Sequence, residues 1–256
     1  MTHQFHQGDC REVLTQRLEA GDRWTHCVTS PPYFQQIDYE LQGQYGLEER
    51  LVTYLVRQAD LFDLVWQGME EGGVCWIIVG DTMNNYSPIR TKRQRRQPGQ
   101  WSHRRQVQED YTEKEALMVP YQLAEYLRAG GWLLRKMLIW DKGQSGQPGK
   151  GDAPGECHES VLMLGKWSKT GRPYLNTAPL ASTVLRHSPA SHPNHPCVYP
   201  QSLAEELLAS IKQPSATVLD PYVGTGTTAR ACDRFGHRCI GIDLSLKHLE
   251  VSNVAS

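Results

Sequence analysis

Val218-Leu219-Asp220-Pro221-Tyr222-Val223-Gly224-Thr225-Gly226-Thr227-Thr228 is the stretch that decides the fold. An apolar run ends in a carboxylate, a glycine-rich turn follows, and a helix begins at about Thr227. Glycine tolerates positive φ and lets the backbone approach a ligand closely. A helix N-terminus adds free N–H groups and the positive end of a dipole. A second strand, Cys239-Ile240-Gly241-Ile242-Asp243, comes after that helix. Such a strand–turn–helix–strand unit belongs to a parallel α/β sheet, whose ligands sit at the carboxyl ends of the strands.

Working outward, strands and helices alternate. Gln4–Gln7 reads as a strand, 11–20 as a helix, and His26–Thr29 as a strand. Residues 48–69 are strongly helical, with Leu51, Leu55, Ala59, Phe62, Val65 and Met69 on one face. Val74–Val79 has the composition of a buried strand. Helix returns at 115–129, with Pro120 near its first turn, then strands at 132–140 and 160–167. After an irregular, Pro-, Ser- and His-rich 174–200, a helix covers 201–211 and a last helix is expected over 245–254. The expected architecture is a doubly wound, mostly parallel, seven-stranded α/β sheet in one domain spanning 1–256.

With 39% hydrophobic and 21% charged residues, the chain can bury a single core. The longest apolar run, Val74–Val79, is too short to cross a bilayer, and Met1–Phe5 shows no apolar signal region. Seven cysteines without a C-x-x-C pair favour reduced thiols and a cytoplasmic setting. The net charge is only -1, yet Arg90, Lys92, Arg93, Arg95, Arg96, Arg104 and Arg105 fall between Asp81 and Glu109 with no acid among them. Arginine outnumbers lysine there, with Trp101 and His103 interleaved, which suits phosphate forks and stacking better than a merely solvated loop.

Near the N-terminus, Thr29-Ser30-Pro31-Pro32-Tyr33 follows an apolar strand. The two prolines fix φ and remove two donors, leaving carbonyls with no adjacent competing N–H, and Ser30 is pushed to an extended form. An exocyclic amino group is a poor nucleophile, and acceptors of this kind could draw its hydrogens. Tyr33 offers a ring face for an extruded base, and Phe34 could assist. At the other end, Asp220 would repel a pyrophosphate but suit an ammonium. S-adenosylmethionine carries an α-amino group and no phosphate, so it fits better than a dinucleotide, although Gly224-x-Gly226-x-x-Ala229 satisfies a loose dinucleotide pattern.

The glycine run resembles motif I of the amino-methyltransferases that modify DNA, Asp-Pro-Phe/Tyr-x-Gly-Ser/Thr-Gly-Thr. Gly241-Ile242-Asp243 resembles their motif II and Thr-Ser-Pro-Pro-Tyr their motif IV. Gly8-Asp9-Cys10 is similar to the piece near the adenine. Ile139-Trp140-Asp141-Lys142 and His158-Glu159-Ser160-Val161 are similar to two further strand signatures. His195-Pro196 with Tyr199-Pro200-Gln201-Ser202-Leu203 is similar to motif X. The resemblance implies S-adenosylmethionine as cofactor, held by Asp9, Thr29, Asp220, Pro221, Gly224, Gly226, Thr227, Thr228, Asp243, Pro200 and Ser202. It implies Ser30, Pro31, Pro32 and Tyr33 as the catalytic corner, and direct transfer with no covalent intermediate. Phe34, Arg93, Arg95, Arg96, Arg104 and Arg105 are expected on double-stranded DNA.

Catalytic motif before cofactor motif is the order of the family's β group, a circular permutation of the usual sheet. Serine in the first position of motif IV points to N4 of cytosine, with N6 of adenine as the alternative. The basic insert at about 84–114 and loops at about 142–157 and 171–195 are the expected DNA-contacting and recognition segments. A restriction endonuclease partner and a homodimer stay open, in a cytoplasmic, nucleoid-associated protein. Rival readings are an NAD-linked oxidoreductase, a DNA-binding module without activity, and an RNA substrate. Pro196-Cys197 lacks the context of a cytosine-C5 nucleophile and reads as structural. His187, His192, His195 and Cys197 are spaced too irregularly for zinc, so no metal is expected.

Overall fold

The computed structural model describes residues 2–85, 90–91, 105–143, 152–167, 175–192 and 197–251. Its strands are β1 (Gln4–Gln7), β2 (His26–Thr29), β3 (Ile37–Asp38), β4 (Val74–Val79) and β5 (Arg90–Thr91). They continue with β6 (Leu133–Asp141), β7 (His158–Gly165), β8 (Val184–Arg186), β9 (Thr217–Asp220) and β10 (Arg238–Asp243). The helices are α1 (Cys10–Glu19), α2 (Leu51–Gly68), α3 (Val119–Ala129), α4 (Gln201–Ala209) and α5 (Thr227–Phe235).

Eight strands share one sheet in the order β1-β10-β9-β2-β4-β7-β6-β8, and β3 pairs separately with β5. The five from β1 to β4 run parallel, β7 runs antiparallel to both neighbours, and β8 runs parallel to β6. The sequence pattern accounts for seven of the eight. The extra strand, β8, is a three-residue edge that pairs Val184 with Ile139 inside a Pro- and Ser-rich stretch. It is too short to carry a period of its own.

Side chains alternate across the central strands, so each faces two cores. In β4, Cys75, Ile77 and Val79 join the layer of α1, α2 and α3, while Val74, Trp76 and Ile78 join that of α4 and α5. Helix α2 buries Leu51, Tyr54, Leu55, Leu61, Phe62 and Val65. Each fully buried Leu or Phe contributes about 1.5–3 kcal/mol, so α2 anchors its layer.

Three helices depart from the sequence pattern by three residues or more. Helix α2 starts at Leu51 rather than 48, because Glu48 accepts from Gly46 N at 2.8 Å and pairs with Arg57. Helix α3 starts at Val119 rather than 115, because Met118 is left-handed (φ 54) and Asp81 takes the N–H groups of Met118 and Val119 at 3.1 and 2.9 Å. Pro120 does lie in its first turn. The expected last helix is a short 3-10 turn, Leu246–His248, after which Leu249 is extended (φ -67, ψ 123). Arg230 holds that extension through the Glu250 carbonyl at 3.1 Å.

Parallel pairing of β1 with β10, Gln4 opposite Ile240, closes the permutation expected from motif order. No helix among the described residues is long and apolar enough to cross a membrane.

Candidate active site

Strands β9 and β2 are neighbours, yet the chain leaves them in opposite directions across the sheet. The crevice at such a switch point is where open α/β sheets bind ligands. The two strand tips are tied directly: Thr29 Oγ1 donates to Asp220 Oδ1 at 2.7 Å across 191 positions of sequence. Asp220 also accepts from Thr228 Oγ1 at 2.5 Å, Tyr222 N at 3.1 Å and Tyr199 OH at 3.3 Å. Burial pushes its carboxyl up to about 6, although these donors pull the other way. A buried carboxylate on four donors locks the two halves together.

From β2 the corner turns into a cavity lined by Ser30, Pro31, Pro32 and Tyr33. Pro32's carbonyl accepts from Tyr54 OH at 3.0 Å, which fixes the corner against α2. The Tyr33 ring lies on Gly80, where a Cβ would come within 2.9 Å of Cε2. Its hydroxyl donates to Glu159, which pairs in turn with Lys142, and Ser30 Oγ lies 3.4 Å from the same hydroxyl. Lys142 also sits over the Trp140 ring, 4.9 Å from its centroid.

The opposite wall comes from β9, β10 and the start of α5. Gly224 (φ 51) and Gly226 (φ 85) are both left-handed, and Gly226 begins α5 with no side chain capping it. Asp243 Oδ2 accepts from Gly224 N at 3.0 Å and Oδ1 from Ser245 N at 3.0 Å, so the strand tip shapes the turn. Arg230 braces the turn from behind, on the Thr225 carbonyl at 2.6 Å and Thr227 Oγ1 at 3.2 Å. On the third side stands Asp9, whose Oδ1 caps α1 through Arg11 N at 2.9 Å.

The cavity encloses about 1100 Å³ of empty space, its mouth included, which is ample for a cofactor-sized ligand. Tyr33, Tyr39, Tyr45, Tyr199 and Tyr222 line it, with the carboxylates Asp9 and Asp243. Among the described residues no lysine or arginine lines it. Such a wall suits a cationic nucleoside and offers no side-chain cation for a pyrophosphate. Burial pushes the Cys10 thiol up to about 12, so that sulfur is a neutral wall and no thiolate.

Pro221, Gly224, Thr227 and Asp243 join Asp9 and the Ser30–Tyr33 corner on this one cavity. Others expected there sit behind it. Thr29, Asp220 and Thr228 form the buried latch, with Thr228 also bonded to the Tyr199 hydroxyl. Gly226 is packed so closely that a Cβ would come within 2.5 Å of Val251 Cγ2. Pro200 precedes α4, and Ser202 bonds to His187 Nδ1 at 2.9 Å; motif X reaches the cavity through Cys197, Val198 and Tyr199 instead.

Phe34 is a correction to the sequence reading. It is buried against Tyr54, 5.5 Å between ring centroids, where the chain turns after the Pro-Pro corner and Gln36 N donates to the Tyr33 carbonyl. Arg105 donates its Nε to the Gln35 carbonyl at 3.0 Å, so it secures the loop after the corner as well as carrying charge. Arg93, Arg95, Arg96 and Arg104 lie outside the described residues. No group of three metal-ligating side chains occurs among the described residues. His187 is spent on Ser202 and Glu206, and His192 on Glu250.

Sequence reasoning missed the wall made by Gln36, Ile37, Tyr39, Leu41, Gln44 and Tyr45. Its one signal was aromatic and amide residues crowded directly after the Pro-Pro corner. Cys197, read as structural, also lines the cavity.

A family model for DNA methylases matches residues 25–254. The Type II methyltransferase M.SmaI of Serratia marcescens is 29% identical, over 96% of this chain and 87% of its own. M.Cfr9I of Citrobacter freundii, another Type II methyltransferase, is 25% identical over 96% and 85%. Among solved structures, the cytosine-N4-specific PvuII DNA methyltransferase superposes with a TM-score of 0.66 at 14% identity, covering 97% of this chain and 84% of that one. The protein TTHA0409 of Thermus thermophilus, in complex with S-adenosyl-L-methionine, gives 0.65 at 23% identity over 96% and 89%. At these identities the two structures speak for the fold.

Proposed function

The chain belongs to the N6/N4 family of DNA methylases, and from that premise we propose that it methylates the exocyclic amino group of a base in double-stranded DNA, cytosine N4 first. S-adenosylmethionine is the proposed methyl donor. The observation that carries this reading is the Thr29–Asp220 bond, which sets the Ser30-Pro31-Pro32-Tyr33 corner and the glycine turn on one cavity.

The residues present fit that cofactor. Asp243, at the tip of β10, would take ribose hydroxyls, and Asp9 and Cys10 would border the adenine. Tyr222, Gly224 and the uncapped start of α5 would face the methionine part, above the buried charge of Asp220. When bound, the cofactor supplies an electrophilic methyl on a sulfonium.

The remaining chemistry belongs to the chain. Tyr33 presents its ring to an extruded base. Ser30 Oγ and the Pro31 carbonyl accept the two amino hydrogens, so the nitrogen lone pair is freed from the ring and aimed. Positioning of this kind can supply roughly 7–11 kcal/mol of barrier reduction. The aromatic walls keep water from the reacting nitrogen.

Ser30 supports cytosine N4 over adenine N6, since the family resemblance pairs serine with the former. The Type II designation of the relatives supports a restriction endonuclease that reads the same sequence as a partner. To test the reading, unmethylated DNA is incubated with the protein and methyl-deuterated S-adenosylmethionine, and its nucleosides are weighed. Labelled N4-methylcytosine is expected. Label in 5-methylcytosine alone, or no label in DNA, overturns the proposal.

A further inference from the structure

Glu159 stands at the start of β7, buried, and takes no part in the steps above. One of its oxygens pairs with the Lys142 ammonium and the other with the Tyr33 hydroxyl. A carboxylate held by an ammonium accepts hydrogen bonds and donates none. Tyr33's single hydroxyl proton therefore goes to Glu159. Burial, and then the Glu159 charge, push that phenol well above its ordinary value, so it keeps the proton.

With its proton committed, Tyr33's oxygen can only accept, and the donor beside it is Ser30 Oγ at 3.4 Å. Ser30's one proton turns toward Tyr33, and its lone pairs are left for the cavity. A serine hydroxyl standing alone can present either its proton or a lone pair. An amino group needs the lone pair. The chain Ser30–Tyr33–Glu159–Lys142 has only one consistent direction, and it ends in the polarity that methyl transfer requires.

We propose that Glu159 is a positioning residue, which acts through Tyr33 to hold the Ser30 hydroxyl as an acceptor for the target amino group. The proposal rests on the reading of Ser30 given above. A carboxylate present only to balance Lys142 would have no need of the phenol.

Glu159→Gln tests it while keeping size and shape. Lys142 draws the amide oxygen, so the amide NH2 faces Tyr33 and the direction of the chain reverses. The kcat for DNA methylation should fall roughly 10- to 100-fold, with KM for DNA and cofactor affinity unchanged. In a Ser30→Ala background the same change should cost nothing further, because no hydroxyl is left to turn. Tyr33→Phe keeps the ring face and breaks the chain, so it should lower kcat similarly and gain nothing by combination with Glu159→Gln.

Wild-type kcat in Glu159→Gln, or an equal loss with and without the Ser30 hydroxyl, overturns the proposal. Should Glu159→Gln fail to fold, Tyr33→Phe in both backgrounds decides by the same comparison. Full activity in Ser30→Ala would instead sink the role of Ser30, which is the reading beneath this one.

Discussion

Thr29→Val removes one hydroxyl and leaves the shape of a fully buried side chain nearly unchanged. What is lost is the 2.7 Å bond to Asp220, the link between the two halves of the site. Its size depends on the charge of Asp220. Hydrogen bonds to charged groups are worth about 1.5–3 kcal/mol, and those between neutral groups about 0.5–1.5 kcal/mol. Asp220 titrates at about 6, so it is ionised at pH 8 and largely neutral at pH 5.

The variant should therefore lose about 1.5–3 kcal/mol of stability at pH 8 and about half of that at pH 5. The sign follows from linkage: losing a donor to the carboxylate raises Asp220 further, so the variant suffers most where the group is charged. Urea unfolding followed by tryptophan fluorescence at both pH values reads the difference. A loss under about 0.5 kcal/mol at pH 8, or equal losses at the two values, refutes the latch.

Asp220 itself opposes folding. Its folded value lies near 6 against an ordinary 3.8. That difference costs on the order of 3 kcal/mol above about pH 6, and the cost disappears as the pH falls below the ordinary value. A group kept at such a cost beside a cavity is a candidate for function.

Gly80→Ala places a methyl against the Tyr33 ring, so kcat should fall at least tenfold with cofactor affinity retained, by steady-state kinetics and calorimetry. S-adenosylmethionine should bind more weakly as the pH drops through about 6, where Asp220 loses its charge. The loss should approach roughly tenfold for each unit by which the bound cation lowers that group, and a flat profile in the wild type refutes the coupling. Asp220→Asn should flatten it. Replacing Arg93, Arg95, Arg96 and Arg104 with glutamine should make the slope of log affinity for DNA against log salt shallower by roughly 0.9 for each phosphate no longer neutralised. An unchanged slope assigns those arginines to solvent.

Most of the sheet was legible because buried strands declare themselves. Val74–Val79 is apolar throughout since both of its faces are covered. The Pro-Pro corner and the glycine turn were legible because their backbone geometry demands particular residues. Side-chain direction was not. Tyr33 and Phe34 look alike in sequence, and only the path of the chain sends one to the cavity and the other to the core. Residues 36–45 gave only their crowding of aromatic and amide residues, because a segment whose one strand is two residues long shows no period, and Gln35 opens it with a positive φ of 49 that few glutamines adopt. Asp220 and Thr29 were expected to touch the cofactor, yet Thr29 Oγ1 is bonded to Asp220, whose oxygens also accept from Tyr222 and Thr228. Their pairing is a tertiary fact that no local pattern records.

A crystal structure with S-adenosylmethionine bound tests the central claim most directly. The account predicts the adenosine between Asp9 and Asp243, the methionine along Tyr222 and Gly224, and the methyl directed at the Ser30–Pro31 corner. A methyl group opening onto another face of the molecule, away from that corner, would contradict it.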